Sequence, residues 1–89
     1  MKEILTTNRF EKDQNKAYKQ GKNIALMKKA MLLIALGEER PSSFREHKLK
    51  GKYLGRKERH ISPDWLLIYQ IKGVSVVFER TGSHAELFG

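Results

Sequence analysis

Three histidines, His47, His60 and His84, are the residues of this 89-residue chain best suited to moving protons near neutral pH. The first two lie in the basic stretch Arg45 to His60, together with Lys48, Lys50, Lys52, Arg56, Lys57 and Arg59. The third ends the run Arg80-Thr81-Gly82-Ser83-His84. Imidazoles that carry protons, set among cations that hold phosphate, are what RNA cleavage by internal attack requires. In that reaction the ribose 2′-oxygen attacks the adjacent phosphorus and the 5′-oxygen leaves. It needs a base near the 2′-hydroxyl, an acid near the leaving oxygen and positive charge around the phosphoryl oxygens. His47, His60, His84, Asp64 and Glu58 are candidate acids and bases. Arg80 is a candidate phosphate contact, and Lys48, Lys50, Lys52, Arg56, Lys57 and Arg59 are candidate RNA contacts. The chemistry calls for no metal and no cofactor, and the three histidines lack the spacing of a metal-ligand set.

Several of these residues also have a structural reading. Asp64 follows Pro63 and suits a turn. Glu58 has Arg56 and Arg59 within reach as partners. Trp65 is a natural core residue. Phe88, one residue from the C-terminus, needs either a core to close or a base to stack on.

Such a site needs a scaffold, and length and composition limit it. Eighty-nine residues make one domain spanning 1–89, with 39% hydrophobic residues for a small core. The formal net charge of +8 favours a polyanionic partner. No cysteine is present, which excludes disulfides and thiolate metal sites. The longest apolar run, Ala30 to Leu36, is far short of a membrane span. A soluble, cytoplasmic protein with no membrane partner is expected.

Periodicity places the elements. Glu3 to Thr6 reads as a short strand. Asn8 with Glu11 suggests a capping box, opening a polar helix to about Gln20. On it Lys12, Lys16 and Lys19 share a face. Gly21 to Asn23 breaks this helix. A second runs from Ile24 to Leu36, with Ile24, Met27, Met31 and Ile34 on a buried stripe and Gly37 as its stop. Glu38 to Lys52 reads as a long loop around Pro41-Ser42-Ser43. The period then becomes two. Arg56 to Ile61 forms a strand with Arg56, Glu58 and His60 on one face. Ser62-Pro63-Asp64 turns into the apolar strand Trp65 to Ile71, Lys72-Gly73 makes a hairpin, and Val74 to Thr81 is the last strand. Gly82 to Gly89 is a tail long enough for one helical turn. The fold class is α+β, in the order β-α-α-β-β-β, with a helical hairpin packed on a small, mainly antiparallel sheet.

Three blocks carry a family resemblance. They are His47-x-Leu49-x-Gly51, Arg59-His60-x-x-Pro63-Asp64-Trp65-Leu66-Leu67-Ile68-Tyr69, and Glu79-Arg80-Thr81-Gly82-x-His84-x-x-Leu87-Phe88. In order and spacing they resemble the YafQ branch of the RelE toxin superfamily, over about residues 44–89. The resemblance implies a RelE-like fold and a bacterial type II toxin: an endoribonuclease that cuts mRNA, generally in the A site of the translating ribosome. It implies His47, His60, Asp64 and His84 as the catalytic set, with Arg80 at a phosphate-contacting position and Phe88 as an aromatic associated with the active site. Trp65 occupies a motif position compatible with packing. Glu58 stands where relatives often have aspartate. The mechanism implied has His84 as acid on the 5′-oxygen, and His60 or His47, oriented by Asp64, as base. The implied partners are mRNA, the ribosome and a cognate antitoxin, with a DNA-binding N-terminal part and an acidic segment that wraps the toxin. The lysines of the helices and the basic loop would meet ribosomal RNA or that acidic segment. Related ParE toxins use this scaffold against DNA gyrase, so a non-catalytic toxin binding gyrase or the ribosome is the alternative. The three histidines have no part in that mode of action.

Overall fold

The computed structural model describes residues 1–37, the backbone of residues 47–48, and residues 55–89. The chain runs β1 (Glu3–Thr6), α1 (Asn8–Lys19), α2 (Ile24–Ala35), β2 (His47–Lys48), β3 (Lys57–Ser62), β4 (Trp65–Lys72), β5 (Ser75–Gly82) and α3 (His84–Phe88). The strands form one sheet in the order β1-β5-β4-β3-β2. β1 lies parallel to β5, and every other neighbouring pair is antiparallel. The α+β class and the helical hairpin on a mainly antiparallel sheet agree with the sequence reading. The difference is β2, which interrupts the expected loop at His47–Lys48; α3 is the helical turn expected in the tail. The remainder of that loop, including Lys50 and Lys52, lies outside the described residues.

β4 is the central strand, and its apolar run has a simple cause: both faces are covered. Trp65, Leu67 and Tyr69 join Phe10, Ala17, Met27, Met31, Ile34, Val76 and Phe78 beneath α1 and α2. Leu66 and Ile68 point the other way and bury Leu87 of α3. Strand alternation thus divides one apolar sequence between two cores. Within α2, Met27, Met31, Ile34 and Ala35 are buried, as the stripe predicts. Leu26, Leu32 and Leu36 remain exposed, so among the described residues α2 is covered on one side only.

Local chemistry sets the ends of the elements. The N-cap of α1 is Thr7, one residue before the expected Asn8, and its side chain accepts from the Phe10 N–H at 3.0 Å. Thr7 prevails because β5 engages it as well: its N–H donates to Phe78 and its hydroxyl donates to the Glu79 carbonyl. The β4–β5 hairpin pairs Lys72 with Ser75, so its turn residues are Gly73 and Val74 rather than Lys72 and Gly73. Gly73 takes φ +57°, which a residue with a Cβ rarely adopts.

Candidate active site

Two irregularities in strand pairing fall beside the candidate residues. Between His60 and Ser62 β3 carries one residue more than β4, and between Phe78 and Arg80 β5 does the same. Such bulges twist a strand and re-aim its side chains. Glu58 pairs with Ile68 and His60 with Leu66. Cross-strand partners share a face, so Glu58 and His60 lie on the α3 side of the sheet. On that side α3 places His84 at its first turn, directly after the N-cap Ser83.

The result is a compact group of titratable side chains. The ring centroids of His60 and His84 are 5.5 Å apart. His84 Nδ1 lies 2.8 Å from Asp64 Oδ1, and the same oxygen accepts the His84 backbone N–H at 3.0 Å. These bonds, the backbone one foremost, hold the Asp64 carboxyl below the usual carboxylate range, with a smaller contribution from Lys22. A carboxylate on Nδ1 fixes the ring and leaves Nε2 for chemistry. Glu58, buried beneath the cluster, reaches to 3.8 Å from His60 Nε2. Asp64 is therefore the partner of His84, not the orienter of His60, because the Pro63-Asp64 turn faces the N-terminus of α3. His47 lies opposite Glu58 in the β2–β3 register.

The aromatic residues separate by role. Phe88 is 43% exposed, with its ring 6.2 Å from that of His84. It offers a stacking face to the site, while Leu87 closes the core beneath it. Trp65 is buried under the helices and serves packing, with Lys22 Nζ 5.5 Å from its ring centre.

Arg56, Arg59 and Arg80 are largely committed to the fold. Arg80 Nε donates to Asp13 of α1 at 2.6 Å, in a pair that is little exposed. Arg56 Nε bonds Glu79 at 2.8 Å, which pushes its pKa up. Arg59 is only 5% exposed and belongs to the helix side of the sheet, opposite Leu67. A surface RNA contact is thus not available to Arg59, contrary to the reading from charge alone; strand alternation turned it inward. Lys57 is half-buried on β3.

Sequence reasoning missed Ser83, Glu86, Lys16 as a structural partner, Asp13 and Lys22. Ser83 and Glu86 form a reciprocal capping box at the start of α3. Its signal, a serine three residues before a glutamate, was legible in the chain. Glu86 also meets Lys16 Nζ at 2.6 Å, and its pKa falls to about 2, chiefly through Lys16 and then the Ser83 N–H. The links to α1 had no local signal.

Glu58, His60 and His84 also form a possible cation site, since one ligand atom from each lies within 4.8 Å of the others. A carboxylate with two imidazoles suits a divalent transition metal.

The family model for YafQ, the bacterial toxin of a type II toxin-antitoxin system, matches residues 2–89. The chain belongs to the YafQ toxin family. It is 37% identical over 89 residues to the mRNA interferase toxin YafQ of Escherichia coli K12, covering 99% of this chain and 97% of that protein. Among solved structures it resembles YafQ in the E. coli DinJ–YafQ toxin-antitoxin complex, with a TM-score of 0.86, 35% identity and coverage of 99% and 98%. A metal-bound toxin from Helicobacter pylori gives a TM-score of 0.88 at 36% identity, covering 99% of this chain and all of the other. The YafQ resemblance carried by the C-terminal blocks therefore extends through the N-terminal helices.

Proposed function

We propose that this YafQ-family toxin is an endoribonuclease that cuts mRNA, on the translating ribosome, by 2′-hydroxyl attack. The observation that carries this reading is the Asp64–His84 pair beside His60, with ring centroids 5.5 Å apart. Two imidazoles so placed can serve two oxygens of one phosphorus. The relatives named as mRNA interferases support the substrate.

His84, backed by the Asp64 carboxylate, holds a proton on Nε2 for the departing 5′-oxygen. His60 is the base that takes the 2′-hydroxyl proton, with Glu58 beneath it stabilising the cation that forms; His47 is the other candidate base. The P–O2′ bond forms as the P–O5′ bond breaks, and the electron pair of the broken bond goes to the 5′-oxygen. The products are a 2′,3′-cyclic or 3′-phosphate and a 5′-hydroxyl. Each proton transfer contributes roughly 100- to 10,000-fold. Phe88 stacks on a neighbouring base. Lys48, Lys50, Lys52 and Lys57 supply charge for the RNA backbone and the ribosome. Arg80 braces β5 against α1 through Asp13, and the N–H donors that Asp13 does not take can meet phosphate.

A divalent cation held by Glu58, His60 and His84 would polarise a phosphoryl oxygen. Proton transfer by the same histidines needs no cation, and a nitrogen that ligates one cannot carry a proton. The reaction is therefore proposed as metal-independent. The proposed protein partner is a cognate antitoxin, by analogy with the DinJ–YafQ complex.

The test is primer extension on translating ribosomes, with free mRNA in parallel, comparing wild type with a folded His84→Ala variant. New 5′-hydroxyl ends from wild type alone, mainly on ribosomes, are expected. Equal cutting by both proteins removes His84 from the reaction, and no cutting on either substrate overturns the nuclease reading.

A further inference from the structure

The C-terminal helix that carries His84 has an unusual support. α3 has five residues, too few to be stable alone. Its single buried apolar anchor is Leu87. Besides the two bonds from His84 to Asp64, its polar attachment centres on Glu86. Glu86 Oε1 accepts the Ser83 N–H at 2.9 Å, and the Glu86 N–H donates back to Ser83 Oγ at 3.1 Å. Glu86 Oε2 meets Lys16 Nζ of α1 at 2.6 Å. One carboxylate thus uses one oxygen to fix the residue before His84 and the other to tie the helix to α1.

The same face of α1 grips the strand leading into α3. Asp13, three residues before Lys16, accepts from Arg80 Nε at 2.6 Å and from the Thr81 N–H at 3.2 Å. The segment from Arg80 to Glu86 is therefore held at both ends by one turn of α1, and His84 lies within it. The space between is tight: a Cβ added at Gly82 would come within 3.2 Å of Glu86 Oε1 and 3.4 Å of Leu87. Asp64 holds His84 from the opposite side.

We infer that Glu86, through its bonds to Ser83 and Lys16, is a positioning residue that sets His84 for proton donation to the leaving oxygen. The inference rests on the proposed role of His84. Glu86 takes no proton itself and touches no substrate. It stops the first turn of α3 from rotating, and so keeps the His84 ring beside His60. Lys16, placed by sequence among RNA-gripping lysines, is by this account part of the scaffold of the site.

The experiment compares single-turnover cleavage on ribosomes programmed with two mRNAs. One has an ordinary phosphodiester at the cut position; the other has sulfur in place of the leaving 5′-oxygen. A thiolate leaves without a proton, so a defect in the acid disappears on the sulfur substrate. The proteins are wild type, His84→Ala, Glu86→Ala, Lys16→Ala and Lys16→Arg. Expected on the oxygen substrate are losses of about 10-fold for Glu86→Ala and about 3-fold for Lys16→Ala, with Lys16→Arg close to wild type. On the sulfur substrate both losses, and that of His84→Ala, shrink to within about 2-fold of wild type. Binding of a 2′-deoxy mRNA should be the same for Glu86→Ala as for wild type. If His84→Ala is not rescued by sulfur, the acid role of His84 fails and the inference falls with it. If His84→Ala is rescued but Glu86→Ala is not, or Glu86→Ala cuts at the wild-type rate, the inference alone is overturned. Thermal unfolding of each variant shows whether the fold is kept. If Glu86→Ala fails to fold, the Lys16→Ala and Lys16→Arg pair decides by the same criteria.

Discussion

Replacing Leu87 with alanine should separate activity from global stability. Leu87 is 1% exposed and packs on Leu66 and Ile68, both fully buried. These three form a cluster apart from the larger core beneath α1 and α2. A buried Leu→Ala change typically costs about 2–5 kcal/mol. In a large core that loss would lower the stability of the whole domain. Here it falls on a five-residue helix with one buried residue. The cheaper response is for α3 to leave the sheet while the main core stays intact, a local opening of the kind seen in elements with few buried contacts. A loss of about 2 kcal/mol lowers the ratio of docked to undocked helix by roughly 30-fold, at about 1.4 kcal/mol per tenfold. Global unfolding can lose no more than the free energy that had docked α3. The expected result is a fall of roughly 30-fold in amide-exchange protection at residues 85–89, a cleavage rate that falls with the docked fraction of α3, and a melting shift of only several degrees. Cleavage rate, hydrogen exchange and a thermal melt on one sample check this. Wild-type protection and activity in Leu87→Ala would refute the view that Leu87 docks the helix. A collapse of the melting temperature, with protection lost uniformly, would refute the separation into two cores.

Three further expectations follow from the same geometry. Phe88→Ala should leave stability within about 0.5 kcal/mol of wild type, since the ring is 43% exposed, but should cut cleavage by about 10-fold if it stacks on a base. Thermal melts and single-turnover rates check the two halves. Glu86 has its pKa lowered from 4.5 to about 2, so its contribution is complete above pH 4.5 and is lost as pH falls from 4.5 towards 2. Solvent screening of the exposed Lys16 keeps this contribution on the order of 1 kcal/mol, and amide exchange in α3 should show the acid loss in wild type but not in Glu86→Gln. Cleavage should persist in a chelator and fall when zinc is added, as the cation takes the nitrogens of His60 and His84. Titration with zinc under single-turnover conditions measures this, and a requirement for zinc would refute proton transfer by the unligated histidines.

What the chain determined by itself was local. The period-two strands, the helical stripe of Met27, Met31 and Ile34, and the apolar run of β4 follow from neighbours in sequence, and the structure has them. The motif blocks around His60 and His84 also pointed to the family. One capping box, Ser83 to Glu86, was equally local and was missed; at Thr7 a contact with β5 moved the cap by one residue. Tertiary structure decided who partners whom. Asp64 went to His84, Arg80 to Asp13, Arg56 to Glu79 and Lys16 to Glu86. Arg59 turned inward. No periodicity encodes these choices, because a charged side chain has several carboxylates within reach in sequence terms. The selection comes from sheet order, from bulges that re-aim individual side chains, and from the docking of α3, which brings the last turn of the chain against its first helix.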